Sequence, residues 1–266
     1  MMRCLLAVVA MVWAGVCAAQ QPEVVDLPTR SGITVRLLAL QPENPSAVVV
    51  LLTGGGGRLG IFDNGSLRND GNFLIRSRSL FVQQGLAVVL VDTPSDHNGP
   101  QGLRGTFRES EDHARDLAAV VSWARSRYTK PVWLVGTSRG SQSAAHAAVS
   151  LSAAAAPDGI VLSSTILGSS RFGQSNARPV QEMAVDKLKV PVLVQHHERD
   201  QCQVCPPAML PALMAKLPPA TSRLMTYQGG RSEGPACEAF AYHGFNGIEP
   251  RVVADMAAWI AKPPGQ

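Results

Sequence analysis

The sequence predicts an α/β fold in which a doubly wound, mostly parallel β-sheet with an antiparallel edge lies between two helical layers. Apolar, β-branched runs alternate with amphipathic stretches along most of the 266 residues, as is typical of βαβ units. These runs are apolar on both faces, as strands covered by helices on both sides must be. Hydrophobic residues make up 45% of the chain and charged residues 17%. We therefore expect one globular domain over residues 20–266.

Residues 1–19 predict a secretory signal peptide. Arg3 precedes the apolar run CLLAVVAMVWAGV, and small residues follow it. The run is shorter than the ~20 residues that a membrane span requires. We expect cleavage after Ala19 and export to the periplasm or the medium, without a stable membrane anchor. A buried N-terminal helix is the alternative, and the bulky Val16 before Cys17 argues against a lipid-modified cysteine.

The first two strands are expected at TVRLLAL (34–40) and AVVVLLT (47–53). Their connection is too short for a crossover helix, so we expect them to pair antiparallel at one edge of the sheet.

The rest of the chain alternates between helices and strands. The helix at 72–85 ends at a glycine, and the helix at 109–128 has acids in its first turn and arginines in its last, as the helix dipole favours. Further helices are expected at 139–153, 209–217 and 249–262, and further strands at 86–92, 131–136, 159–166, 190–196 and 222–228.

The candidate nucleophile is Ser138, the serine of a G-x-S-x-G pattern at 136–140. A second match surrounds Ser232, so the pattern alone does not decide. Ser138 lies between a predicted strand and a predicted helix, whereas Gly234-Pro235 prevents a helix directly after Ser232. A strand–turn–helix holds a serine in a strained bend with its hydroxyl exposed, and places the next amide at a helix N-terminus. A helix N-cap is the alternative role for Ser138.

On these residues the sequence resembles the α/β-hydrolase superfamily. The resemblance rests on Gly136-Thr137-Ser138-Arg139-Gly140, on the glycine run 54–57 after an earlier strand, and on an acid and a histidine later in the chain. It extends over nearly the whole chain after residue 19. In that family the catalytic residues follow in the order serine, acid, histidine.

This order selects the two partners of the serine. Asp200 lies a few residues past the strand at 190–196, where such an acid belongs; a loop or capping role is its alternative, and Glu198 competes but lies closer to the strand. Asp92 and Asp96 precede the serine. Among the six histidines, His243 alone lies between the last predicted strand and the last predicted helix.

The resemblance implies a Ser-His-Asp serine hydrolase that forms an acyl-enzyme. Its oxyanion hole would use the backbone N–H of Arg139 and that of Gly55 or Gly56. The family's frequent histidine before these glycines is replaced by Thr53, which leaves the second donor open. A small-molecule carboxylic ester with a short or medium acyl chain is the expected substrate, because the stretch 167–189 is too short for a large lid.

Other functions remain open on the sequence. A peptidase or an acyltransferase would use the same triad, and a binding protein would keep only the fold. The net charge of +4 is weak and scattered, which argues against nucleic acid. No metal or cofactor motif is present, so we expect none. Arg58 and Arg139 allow an anionic substrate, although arginines on a surface are ordinary. Nothing indicates the oligomeric state.

Three cysteines follow the predicted signal peptide, Cys202, Cys205 and Cys237. If Asp200 and His243 form a hydrogen bond, their loops meet, and Cys202 and Cys237 come within bonding distance. We therefore predict a Cys202–Cys237 disulfide with Cys205 free. A Cys202–Cys205 redox pair is the alternative, although no thioredoxin-like context surrounds it.

Overall fold

The computed structural model describes residues 21–169 and 178–264, so the predicted signal peptide lies outside the described residues. The described strands are β1 (Glu23–Arg30), β2 (Ile33–Leu40), β3 (Ala47–Leu52), β4 (Leu86–Pro94), β5 (Val132–Thr137), β6 (Gly159–Ser163), β7 (Val192–His197) and β8 (Ser222–Tyr227). They form one sheet in the order β1-β2-β4-β3-β5-β6-β7-β8. The part of this order that runs from β4 through β3 and β5 to β8 is parallel at every pair of neighbours. The predicted fold class is confirmed.

The predicted pairing at the antiparallel edge is wrong. β2 pairs antiparallel with β1 and with β4, whereas β3 lies between β4 and β5. The short connection after β2 excludes a crossover helix, but it lets the chain pass the end of one intervening strand, because two strand spacings are only about 10 Å. β1 was not predicted, and it joins β2 through a tight turn in which Gly32 has a φ of 70°.

The helices are α1 (Phe73–Arg76), α2 (Arg78–Gln83), α3 (Glu111–Tyr128), α4 (Arg139–Ser150), α5 (Leu210–Met214) and α6 (Glu249–Ala261). The single helix expected at 72–85 is thus two short helices, and the one expected at 209–217 is shorter. Ser110 caps the N-terminus of α3, and its hydroxyl accepts a hydrogen bond from the His113 amide at 3.1 Å.

The sheet separates two apolar cores, which makes the architecture three-layered. α3, α4 and α5 pack on one face, and α1, α2 and α6 pack on the other. The central strand β5 contributes to both cores, since Val132 and Leu134 face one layer while Trp133 and Val135 face the other. These residues are 0–1% exposed, which explains why such strands lack the alternation of a half-buried strand.

The carboxyl ends of the parallel strands lie along one edge of the sheet, so the loops that follow β3, β5, β7 and β8 converge there. The stretch expected to lack a large lid falls partly on residues 170–177, outside the described residues; its described part contains 3-10 turns at Val180–Glu182 and Val185–Lys187. No helix within residues 21–169 and 178–264 is long and apolar enough to cross a membrane.

Candidate active site

Ser138 occupies a sharp turn between β5 and α4, with φ 52° and ψ −123°. A positive φ is unfavourable for a serine, and the surrounding packing must hold it there. The Ser138 amide donates a hydrogen bond to the Ser163 carbonyl at the end of β6, at 2.9 Å. The turn therefore fixes the backbone and leaves the side chain at the strand end.

The two glycines of the motif are required by close backbone packing. A Cβ atom at Gly136 would lie 2.2 Å from the Gly140 carbonyl oxygen, and one at Gly140 would lie 1.9 Å from the Leu52 carbonyl oxygen. Both distances are far inside van der Waals contact. Because only glycine permits this approach, α4 can begin directly at the strand end.

His243 lies in a 3-10 turn after β8, and its Nδ1 donates a hydrogen bond to Asp200 Oδ2 at 2.8 Å. The Ser164 hydroxyl donates to the His243 carbonyl at 2.6 Å, which anchors the loop to the end of β6. His243 Nε2 is buried and has no hydrogen-bond partner among the described residues. It is the ring nitrogen available to a hydroxyl or a substrate.

Ser138 and His243 line the same cavity, whose volume is about 480 Å³. The glycine run 54–57 forms one of its walls, and Phe73 lies in another. Asp200 is not in the lining but sits behind the imidazole. The structure thus brings the three residues selected from the sequence to one place, whereas Ser232 lies exposed in a loop.

Asp200 contacts a second imidazole that sequence reasoning did not select. His196 Nε2 lies 3.4 Å from Asp200 Oδ2 and donates to the Cys205 carbonyl at 2.9 Å. The Cys202 amide donates to Asp200 Oδ1 at 2.8 Å. Burial alone would raise the pKa of Asp200, but the hydrogen bonds from His196, His243 and the Cys202 amide lower it to about 2. The carboxylate is therefore ionised at neutral pH.

Arg108, another residue that the sequence analysis did not select, holds the glycine loop after β3 through hydrogen bonds to its backbone carbonyls. One guanidinium nitrogen, Nη2, donates to the Thr53 carbonyl at 3.0 Å and to the Gly55 carbonyl at 3.2 Å, and Nη1 donates to the Ser143 hydroxyl at 2.8 Å. Arg108 is only 2% exposed. Its burial, together with the charge of Arg139, lowers its pKa to about 9.

Asp92 fixes the far end of the same loop. Its carboxylate accepts hydrogen bonds from the amides of Leu59 at 2.8 Å and Ile61 at 3.0 Å. The Leu103 amide donates to the Gly56 carbonyl at 2.8 Å. Asp92, which chain order set aside as the acid, therefore supports the loop structurally. The glycine run is thus a shaped segment rather than a flexible linker.

The structure pairs Cys202 with Cys237 across a Cα–Cα distance of 4.5 Å, and Cys205 is free and buried. Burial raises the pKa of the Cys205 thiol well above its usual value, and the Asp200 carboxylate raises it further. The Cys202 and Cys205 sulfurs lie within 4.8 Å of an imidazole nitrogen of His243. Since the paired Cys202 cannot act as a thiolate, this cluster is unsuited to a metal ion.

Loss of the Cys202–Cys237 pair is expected to destabilise the protein and to loosen the loops that carry Asp200 and His243. The pair closes a separation of 35 residues. We expect Cys237→Ser to lower the free energy of unfolding by about 2–4 kcal/mol in urea titrations. Dithiothreitol should reproduce this loss in the wild type and add nothing to the variant. A non-reducing peptide map that shows Cys237 as a free thiol would contradict the pairing.

No protein-family model matches the sequence, and no curated protein matches it. Solved structures match the fold over almost the whole chain. Dienelactone hydrolase from Anabaena variabilis aligns with a TM-score of 0.62 at 15% identity, over 92% of this chain and 100% of that chain. The esterase domain of a Rhodothermus marinus protein aligns with a TM-score of 0.60 at 14% identity, over 91% of this chain and 99% of that one. The chain has the α/β-hydrolase fold.

Esterase 2 of Thermogutta terrifontis, another structure of similar fold, aligns with a TM-score of 0.60 at 16% identity, over 90% of this chain and 91% of that one. The same esterase has also been solved phosphoramylated by tabun. Within the α/β-hydrolase fold of this chain, Ser138, Asp200 and His243 follow β5, β7 and β8, in the order serine, acid, histidine.

Proposed function

We propose that this protein is a serine hydrolase that cleaves small-molecule carboxylic esters through Ser138, His243 and Asp200. One observation carries the proposal: Ser138, in its strained turn, and His243 line the same cavity. His243 Nδ1 donates a hydrogen bond to the buried carboxylate of Asp200 at 2.8 Å. A serine hydroxyl is a weak nucleophile unless a neighbouring base takes its proton, and the third group must orient that base.

In the acylation step, His243 Nε2 takes the Ser138 proton while Oγ attacks the ester carbonyl carbon. Asp200 holds the Nδ1–H tautomer and stabilises the imidazolium that forms. His243 then gives the proton to the leaving alcohol as the tetrahedral intermediate collapses. Water then attacks the carbonyl carbon of the acyl-enzyme while His243 takes its proton, and His243 returns that proton to Ser138 Oγ as the carboxylic acid leaves. The cavity is open enough to admit this water.

The negative oxygen of the tetrahedral intermediate needs two backbone donors. The Arg139 N–H at the start of α4 is the first, because its amide has no partner within the helix. Arg108 binds the Gly55 carbonyl, and a trans peptide points its C=O and N–H in opposite directions, so the Gly56 N–H is directed away from Arg108. We assign Gly56 as the second donor, in preference to Gly55.

The substrate proposal rests on the cavity and on the similar structures. The cavity of about 480 Å³ admits a small ester. Three structures of similar fold are a dienelactone hydrolase and two esterases. Together these features favour short and medium acyl esters over long-chain lipids. The predicted leader at residues 1–19 and the Cys202–Cys237 pair favour an exported enzyme.

Labelling with a fluorophosphonate probe tests the nucleophile directly. We expect the wild type and Ser232→Ala to be labelled and Ser138→Ala to remain unlabelled. Ser232 is the matched control because it is the serine of the second G-x-S-x-G sequence and lies exposed in a loop. Equal labelling of Ser138→Ala would remove Ser138 as the nucleophile, and an unlabelled wild type would favour a binding protein.

Parallel assays of p-nitrophenyl acetate, butyrate, octanoate and palmitate measure the preference for acyl-chain length. We expect the highest kcat/KM with butyrate or octanoate and little turnover of palmitate. Matched p-nitroanilides should be much poorer substrates, and faster anilide than ester turnover would indicate a peptidase instead.

A further inference from the structure

We propose that the natural ester substrate carries a carboxylate, and that this carboxylate binds to Arg104 and Arg139 beside Ser138. The inference rests on the proposed hydrolase function and specifies its substrate class. It follows from the positions of the arginines around the cavity, from their lack of partners and from their mutual repulsion.

The arginines come from different parts of the chain and lie at or next to the cavity that contains the serine. Arg104 and Arg58 line the cavity that also contains Ser138 and His243. Arg139 directly follows Ser138, as the first residue of α4, and its side chain is partly buried. An anion placed here would also meet the positive end of a helix of 12 residues.

These arginines have no carboxylate partner. Among residues 21–169 and 178–264, no aspartate or glutamate forms an ion pair with Arg58, Arg104 or Arg139. Residues 170–177 contain neither acid in their sequence, so they cannot provide one. Glu238 also lines the cavity and is exposed, as Arg58 and Arg104 are, and among the described residues it forms no ion pair with either arginine.

Two partly buried arginines elsewhere in the fold are paired with carboxylates. Arg30 is held by Asp116 at 2.8 Å, and Arg76 is held by Glu249 at 2.9 Å. Arg58, Arg104 and Arg139, which have no such partner, lie at or next to the cavity where the substrate would bind. Arginines without a carboxylate partner also occur elsewhere, as at Arg78 and Arg223.

The positive charges beside the serine also repel one another. Burial lowers the pKa of Arg139, and the charge of Arg104 lowers it further. Arg139 in turn lowers the pKa of the buried Arg108. A bound anion would relieve this repulsion, and a planar guanidinium binds a planar carboxylate through two parallel hydrogen bonds.

Matched ester pairs test the inference. p-Nitrophenyl hydrogen adipate and p-nitrophenyl hexanoate differ only in a terminal carboxylate on the acyl side. 4-Acetoxybenzoate and its methyl ester place the same difference on the alcohol side. We expect kcat/KM for the anionic member of one pair to exceed that of the neutral member by about tenfold or more at low salt, and the ratio to fall as salt is added.

Arginine variants test whether the preference for the anionic ester depends on Arg104 and Arg139. Arg104→Gln and Arg139→Gln should each reduce the anionic-to-neutral ratio several-fold, and Arg223→Gln should leave it unchanged. Arg223 is a suitable control because it is exposed on β8 and, among the described residues, forms no ion pair. Circular dichroism confirms that each variant is folded.

The possible outcomes separate the inference from the function on which it rests. A ratio near one in both pairs, or a ratio that survives both arginine substitutions, overturns the carboxylate site. If neutral esters are still hydrolysed in a Ser138-dependent way, the hydrolase proposal stands without it. Absence of both hydrolysis and probe labelling removes the function and the substrate class together.

Discussion

Ser138→Ala and His243→Ala are each expected to lower kcat for p-nitrophenyl butyrate by about 10⁴-fold or more, and the double variant is expected to be little slower than either. The losses do not add because the alkoxide forms only when the serine and its base are both present. His243 Nε2 has no hydrogen-bond partner among the described residues, which leaves it available to take the serine proton. Steady-state kinetics on the four proteins measure this.

Ser232→Ala is the control, and its kcat should equal that of the wild type. Thermal unfolding checks that each variant is folded like the wild type. This is expected because neither Ser138 nor His243 belongs to the two apolar cores. Losses that multiply in the double variant, or near-wild-type turnover in either folded single variant, would show that the two residues do not act as one unit.

Arg108→Met is expected to reduce kcat by about 10²–10³-fold while KM changes little, because an oxyanion hole acts on the transition state and not on the bound ester. The substitution keeps an unbranched side chain but removes the bonds to the Thr53 and Gly55 carbonyls. Without them the peptide that directs the Gly56 N–H is free to turn. Arg108 would thus be a positioning residue that never touches the substrate.

The split between kcat and KM distinguishes this role from general support of the fold. Arg108→Lys should regain part of kcat, since an ammonium can reach one carbonyl but cannot span both. Ser143→Ala removes a different partner of Arg108 and leaves the carbonyl bonds, so its kcat should stay closer to the wild type. An unchanged kcat in folded Arg108→Met would refute the positioning role.

The part of the site that sequence could predict is the part that depends on local structure and chain order. Ser138 follows from its place between an apolar strand and a helix, and Asp200 and His243 follow from being the acid and the histidine in the required order. Arg108 and His196 could not be found this way. Arg108 acts through backbone carbonyls that lie 55 and 53 residues away in the chain, and His196 bonds the carbonyl of Cys205, nine residues away. No sequence pattern encodes either contact.

The fold, like the site, could be predicted only where local sequence determines it. Continuous apolar runs identified the parallel strands, because burial on both faces leaves a direct mark on composition. β1 contains a proline and polar residues, and the sequence EVVDLPTR has no comparable mark. The order of β2, β3 and β4 depends on which partners pack best, and the short connection allowed more than one arrangement.

The strand order has a consequence for how the working protein is assembled. The glycine loop follows β3, and the proposed nucleophile Ser138 follows β5. The proposed acid Asp200 follows β7, and the proposed base His243 follows β8, which lies at an edge of the sheet and pairs only with β7. No contiguous fragment short of nearly the whole chain holds all four parts. An edge strand has a single partner, so local opening of β8 would withdraw His243 while the centre of the sheet stays intact. Turnover is therefore a stricter measure of complete folding than the circular dichroism of the same sample.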